Sequence, residues 1–326
     1  MTTMLSYLRN CIFCGLLLLT VSAPLSGMAA EFSSQKADFT VSVQNTKNSY
    51  RIMSVFVMPE EYVKLGITAD KRPPASYSIR PSHGLMESVK KNQWRWRAPT
   101  IPGLYTIKIL QAQTDDFMVL NIFVVVPRKH QQGEYLNGYR IGSYPRSLYK
   151  GLPNYKPPRG FVEVTADNAE TLVSPHFRLK QFLCKQNGDY PKYLVLKENL
   201  LLKLELILSE VNARGYRCDT LHVTSGYRTP YYNKSIGNVK YSRHIYGGAA
   251  DIFIDENPKD EMMDDLNGDG KIDYQDAAVI YEIVDKLYGK PSYRGYVGGL
   301  ARYRKNVNHG PFVHVDVRGR RTRWGD

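Results

Sequence analysis

The sequence predicts an all-β sandwich followed by an α+β domain. Three observations carry this expectation. Short alternating apolar runs, punctuated by turn residues, fill the stretch from Phe39 to Val126; a Pro-, Gly- and Tyr-rich stretch without periodicity comes next; and beyond Gly160 helical spacing is mixed with short strands. A chain of 326 residues is long enough for two domains.

Residues 1–30 read as a cleavable export signal. Arg9 precedes the apolar run CIFCGLLLLTVSAPL, and the small residues Gly27, Ala29 and Ala30 follow, which sets the cut after Ala29 or Ala30. The run is shorter than the roughly 20 residues a spanning helix needs, so no permanent membrane span is expected. The predicted location is therefore the periplasm or the cell wall. Lys and Arg outnumber Asp and Glu by 44 to 31 over the whole chain, and Arg9 is the one charged residue of the signal, so the remainder keeps 43 against 31, a net +12. Such a surface favours anionic partners. In an exported protein nucleic acid is a poor candidate, and the wall, with its carboxylate-bearing peptides and phosphate polymers, is a better one.

Signal removal leaves two of the four cysteines, Cys184 and Cys218. An even pair outside the cytosol predicts one disulfide, which would stabilise the fold by roughly 3 to 4 kcal/mol. Neither cysteine sits in a CxxC spacing, which argues against metal ligation by the pair.

Within residues 31–127 the predicted strands are FTVSVQ, YRIMSVFVM, ASYSIRP, LYTIKILQA and FMVLNIFVVV, separated by Pro73-Pro74, Pro81 to Gly84 and Pro102-Gly103. Regular short strands of this kind predict a sandwich. The segment WRWRAPTIPGLYTIKI resembles the late strands of immunoglobulin-like domains. Residues 128–160 read as a linker laid along the next domain. Its tyrosines either form a sugar-stacking surface or pack the linker down, and packing is the expected role. In residues 161–326 the spacing predicts a helix over Leu196–Asn212 stopped at Gly215, short strands at Leu221–Thr224, Ala249–Ile254 and Phe312–Val317, and a second helix through Val279, Ile280, Ile283, Val284 and Leu287. The closing VRGRRTRWGD carries four arginines. It is expected to bind acidic wall polymer or to form a solvated basic tail anchored by Trp324.

The chemistry is concentrated in SGYRTP (Ser225–Pro230), SRHIYGGAAD (Ser242–Asp251) and FVHVD (Phe312–Asp316). Two imidazoles and a carboxylate suit catalytic zinc with a fourth position left for water, whose pKa the metal would lower to about 7. In a strand over 249–254, Ala250, Ile252 and Ile254 share one face, with Asp251 on the other; likewise Val313, Val315 and Val317 face the core while His314 and Asp316 face the site. Gly247 and Gly248 let the chain turn between His244 and Asp251.

Across about residues 174–324 these ordered motifs resemble the zinc D-alanyl-D-alanine peptidases of peptidoglycan, the peptidase M15 group. The resemblance implies zinc ligation by His244, Asp251 and His314, and a role for Arg228 in holding the substrate or the developing oxyanion. A fixed guanidinium beside an attacked carbonyl suits either task. Many relatives place an acid three residues before the last ligand, or a His two before it; here Pro311 and Phe312 stand there. His309 and Asp316 are then the candidates for moving the proton, with ligand orientation as the alternative for Asp316. Ser242 is expected to bind the substrate backbone or cap a turn, and Tyr227 to line the cleft or pack.

A second metal motif, DLNGDGKIDYQD, places oxygen donors Asp265, Asn267, Asp269, Asp273 and Asp276 at loop positions 1, 3, 5, 9 and 12, with the Lys271 carbonyl at position 7 and Gly270 at position 6. It resembles the calcium loop of dockerin repeats, and hard oxygen ligands select calcium. An acidic solvated turn is the alternative. The expected activity is hydrolysis of a stem-peptide or cross-link amide in peptidoglycan, as a carboxypeptidase or endopeptidase, with the sandwich engaging the wall or a periplasmic protein. The rival readings are an inactive wall-binding module, prompted by the missing base, and a calcium-dependent scaffold.

Overall fold

Alternation builds the N-terminal part. In β1 (Lys36–Val43) Ala37, Phe39, Val41 and Val43 are buried and the residues between them are not, which is the period of a strand with one face in a core. The structure, a computed structural model, describes residues 32–44, 46–70 and 76–325. The predicted export signal lies outside the described residues.

Nine strands follow in chain order: β1, β2 (Thr46–Tyr50), β3 (Ile52–Val57), β4 (Tyr62–Asp70), β5 (Tyr77–Pro81), β6 (Leu85–Lys90), β7 (Gln93–Arg97), β8 (Gly103–Gln111) and β9 (Phe117–Val124). They form a five-stranded sheet, β2-β1-β4-β7-β6, and a four-stranded sheet, β3-β9-β8-β5. Val41, Val63 and Trp96 of the first share one core with Val55, Ile107 and Leu120 of the second. Trp96 is fully buried, and its indole N–H donates to the His83 carbonyl at 2.8 Å, so the ring is packed without an orphaned donor. Sequence reading misses β2, β4, β6 and β7 as strands. In β6 nearly every side chain is exposed, so no alternation marks it.

The segment after β9 packs down, as expected of its tyrosines. Tyr155 is buried in a small core with Ile245 and Tyr246, against which Tyr144, Tyr149 and Leu152 also lie. The first helix, α1 (Glu198–Ala213), buries Leu200, Leu201, Leu204, Ile207, Leu208 and Val211, an apolar face at helical spacing. Two short elements then precede the third helix: β10 (His222–Ser225) and α2 (Pro230–Ser235), the latter capped by the Thr229 hydroxyl.

The C-terminal sheet has the order β10-β11-β13-β12-β14, where β11 is Ala249–Phe253, β12 Gly299–Tyr303, β13 Phe312–Asp316 and β14 Thr322–Trp324. Asp251 and His314 are direct cross-strand neighbours in the β11–β13 register. Ala250, Ile252, Val313 and Val315 point the other way, into the core with α1 and with α3 (Tyr274–Asp285).

Two expectations are corrected here. The arginine-rich C-terminal segment is not a solvated tail: Thr322–Trp324 adds to the sheet parallel to β12, and both Arg321 and Arg323 pair with Asp285. Cys184 and Cys218 are buried free thiols. Each is enclosed by its own neighbours: Cys184 lies beside Tyr139 and Thr229, while Asn212 at the end of α1 hydrogen-bonds the backbone N–H of Cys218 at 3.2 Å. Burial pushes both thiols up, Cys218 to about 12, so neither is a reactive thiolate at neutral pH.

Phe32–Asp326 forms one compact unit. The larger core runs from Phe123, Val125 and Val126 at the end of β9 into α1 and the C-terminal sheet. Polar contacts cross the same seam: the Phe56 N–H donates to Glu198 at 3.2 Å, the Asn121 amide to the Leu172 carbonyl at 2.8 Å, and Arg159 pairs with Glu61 at 2.6 Å.

Candidate metal centre

Three separated segments deliver the donor atoms. His244 sits in a tight turn, Arg243–Tyr246, closed by Gly247 at φ +64°. An added Cβ at Gly247 would fall 2.3 Å from the Val195 carbonyl oxygen, so both the left-handed backbone and the close approach require glycine. Asp251 stands in mid-strand on β11, and His314 opposite it on β13.

His244 Nε2 lies 3.3 Å from His314 Nδ1 and 3.3 Å from Asp251 Oδ1, and the latter two atoms are 2.8 Å apart. Ligands about 2.0–2.1 Å from a tetrahedral zinc are roughly 3.3 Å from one another, so the donors fit one small ion. Among the described residues this is the one cluster of His, Cys, Asp and Glu with that convergence, and all three are buried. The remaining ring nitrogens are committed elsewhere. His244 Nδ1 donates to the Gly226 carbonyl at 2.7 Å, which leaves Nε2 as the lone-pair donor, and His314 Nε2 faces Asp316 Oδ2 at 3.3 Å.

The surroundings favour the ligating form of Asp251 and of His244 but not of His314. Burial raises the Asp251 pKa, but the two adjacent imidazoles outweigh it and hold the carboxyl well below its ordinary range. Burial lowers the pKa of His244 and favours the neutral ligand form. For His314 burial acts in the same direction, yet hydrogen bonds to Asp251 and Asp316 prevail and raise it. Asp316 is fully buried; burial would raise its pKa, but His314 and Arg318 hold it well below the usual value.

Arg228 reaches the site. Its Nη2 donates to Asp251 Oδ2 at 2.6 Å and its Nε to Ser225 Oγ at 2.8 Å. The guanidinium thus engages one carboxylate oxygen and turns the other, Oδ1, toward the imidazoles. Asp316 is brought in as an orienting group. Its oxygens accept from the Gly299 N–H at 2.8 Å and from Arg318 Nε at 2.8 Å, so they are occupied by fixed donors in addition to His314. His309 is not brought to the cluster: its ring accepts from the Asn306 amide at 2.8 Å, donates to the Gly310 carbonyl at 2.7 Å and packs on Phe312.

Tyr227 does not line a cleft. It is 2% exposed and its hydroxyl meets that of Tyr144 at 3.0 Å, because in an extended segment it must point opposite to Arg228. Ser242 is buried at the start of the His244 turn, and its side chain makes no capping bond.

Sequence reading missed three contributors. Trp324 packs against His314 with ring centroids 5.1 Å apart and donates from Nε1 to Tyr303 Oη at 2.7 Å, giving the centre an aromatic wall. Arg318 was legible only as one of several tail arginines, although it shares strand parity with His314 and Asp316. Lys203, fully buried on α1, donates from Nζ to the Asp316 carbonyl at 2.7 Å, and burial depresses its pKa to about 7. A lysine inside an apolar helix face was the signal available for it.

In the loop 265–276 the acidic side chains engage backbone amides. Asp265 accepts from Gly268 and Gly270 at 2.8 and 2.7 Å, Asp269 from Lys271 at 2.9 Å, and Asp276 from Leu266 and Asp273, both at 2.7 Å. Asn267 accepts from the Asp269 N–H at 2.9 Å, and Asp273 caps α3. Gly268 and Gly270 both take positive φ. The carboxylates of this loop do not converge as those of the His244 centre do.

No curated protein matches the chain. Residues 175–274 match the model of the Peptidase M15 family, and this stretch contains Arg228, His244 and Asp251, which supports metallopeptidase chemistry at the centre.

Proposed function

We propose that the chain is a zinc-dependent peptidoglycan hydrolase that cleaves an amide bond of the stem peptide or cross-link, as a D,D-carboxypeptidase or endopeptidase. The observation that carries this is the meeting of His244 Nε2, Asp251 Oδ1 and His314 Nδ1 at separations of 2.8 to 3.3 Å. Zinc, when bound, supplies Lewis acidity and makes water a nucleophile at neutral pH. The chain's own residues do the rest. Gly226 and Asp316 fix the two imidazoles, and Arg228 holds the Asp251 carboxylate by Nη2 while its cationic charge lies beside the position where negative charge develops on an attacked carbonyl. Asp316, enclosed and ion-paired, serves orientation, and proton transfer then falls to a water or a substrate group.

Residues 31–127 are read as an immunoglobulin-like sandwich that holds the enzyme at the wall or on a periplasmic protein, after export directed by residues 1–30. Calcium bound by Asp265, Asn267, Asp269, the Lys271 carbonyl, Asp273 and Asp276 would brace the segment between β11 and β12. The motif supports that assignment through its ligand spacing and through Gly270 at the turn.

The test is mass spectrometry of muropeptides after digestion of purified peptidoglycan by the zinc-loaded protein. Released fragments from wild type and none from His244→Ala are expected. Equal release by the variant would end the proposal.

A further inference from the structure

A cavity of about 750 Å³ is walled by the hairpin of Tyr135 to Arg140, the loop of Lys185 to Pro191 and α2, and none of its lining residues belongs to the metal centre itself. It is coupled to the site through short contacts. Lys185 Nζ donates to Thr224 Oγ1 at 3.2 Å, one residue before the Ser225 that holds Arg228, and Thr229 Oγ1, one residue after Arg228, donates to Gln186 Oε1 at 2.7 Å.

The composition of this groove is unusual for a peptide channel. It is lined by five tyrosines together with amides, hydroxyls and glycines, and by no Leu, Ile, Val, Met or Phe. Such walls offer no aliphatic pocket for an apolar side chain. Flat amphipathic rings flanked by amide donors and acceptors suit instead a ring that is apolar on its faces and hydroxylated at its rim. Tyr135 and Tyr190 are 47% and 43% exposed; Arg140 lies over one face of Tyr135 at 5.8 Å and Lys192 over one face of Tyr190 at 5.9 Å, which leaves the opposite faces for a ligand. The floor between them is rigid: Arg140 lies 3.9 Å over Tyr231, and its Nε donates to Glu134 at 2.9 Å. That pairing also neutralises Arg140, and Asp189 on the same rim offsets Lys185. A groove so balanced does not select a polyanion.

We infer that this groove binds an uncharged N-acetylated saccharide, the glycan strand that carries the peptide, and so guides polymeric substrate to the metal centre. The ligand class rests on the peptidoglycan reading above.

The probe is the N-acetylglucosamine tetramer, titrated calorimetrically into full-length protein, with a free stem pentapeptide as comparator. Saccharide binding by wild type is expected, weakened about tenfold in Tyr135→Ala/Tyr190→Ala, the loss of an aromatic anchor, and retained in Tyr135→Phe/Tyr190→Phe, which keeps the rings and reports on folding. On intact peptidoglycan the alanine variant should show a raised KM. No saccharide binding by wild type, equal binding by the alanine variant, or a loss confined to the pentapeptide would overturn the inference, the last assigning the groove to peptide. Binding needs no turnover, so a protein that binds the tetramer without cutting peptidoglycan refutes only the hydrolase. One that cuts without binding it refutes only the groove.

Discussion

Asp316 illustrates how much of the metal centre depends on groups that do not touch the ion. It is fully buried, faces His314 Nε2, and is itself fixed by Arg318 and by the Gly299 N–H. Removing its charge should loosen the His314 ring without removing a ligand. Asp316→Asn is therefore expected to weaken zinc binding by about 10- to 100-fold, measured by competition with a chromogenic chelator. Unchanged affinity would return Asp316 to the role of proton carrier that its position beside a ligand first suggested. At this scale the ordered motifs and the resemblance they carry pointed to His244, Asp251 and His314, and strand parity on β11 and β13 with the glycine turn after His244 agrees with their convergence. Of the two roles open to Tyr227, the structure shows packing: the residue is buried and its hydroxyl meets that of Tyr144.

Among elements, the His244 turn and the seam between the sheets bear the clearest consequences. Gly247→Ala forces a Cβ into the Val195 carbonyl at positive φ, and should cost about 2–4 kcal/mol, read from the denaturant midpoint, along with zinc retention. At the seam His176 Nδ1 meets Glu205 at 2.7 Å, its Nε2 meets the Ser33 carbonyl at 3.0 Å and Phe32 packs on its ring. Burial lowers the His176 pKa, but the hydrogen bond and charge of Glu205 outweigh it and the net shift is upward. A histidine raised on folding contributes stability that is complete below about pH 6.5 and fades as pH climbs through the folded value. The melting temperature of wild type should thus exceed that of His176→Gln at pH 6 and approach it above neutrality; a constant difference would show that protonation is not involved. Such a contact joins residues 143 positions apart, and no local pattern announces it. The helices, by contrast, follow their leucine spacing: the reading of Leu196–Asn212 lies within two residues of α1.

For the whole molecule, alternating strands in the first part and helices in the last were readable because each leaves its own periodicity, while Phe32–Asp326 forms one compact unit. What periodicity does not encode is how such parts bury against one another, and this is where the cysteine pairing and the basic tail were misjudged. Both depended on which core a residue joins. The calcium assignment is tested at this scale too: if the 265–276 loop holds the ion, EGTA should lower the unfolding temperature and metal analysis should find calcium in the purified protein. An unchanged melt with no calcium would leave the loop held by its own backbone bonds alone.

The apolar core that passes unbroken from Phe123 and Val126 into α1 and the C-terminal sheet bears on reach. A peptidase on a slack leash samples every bond within a radius. With Phe56 bonded to Glu198 and Asn121 to Leu172, the first nine strands act more like the stock of a carpenter's square than like a tether. Were they to bind the wall, as proposed, they would present the metal centre at a set distance and angle, and spacing along the target, rather than chance encounter, would decide which linkages are opened.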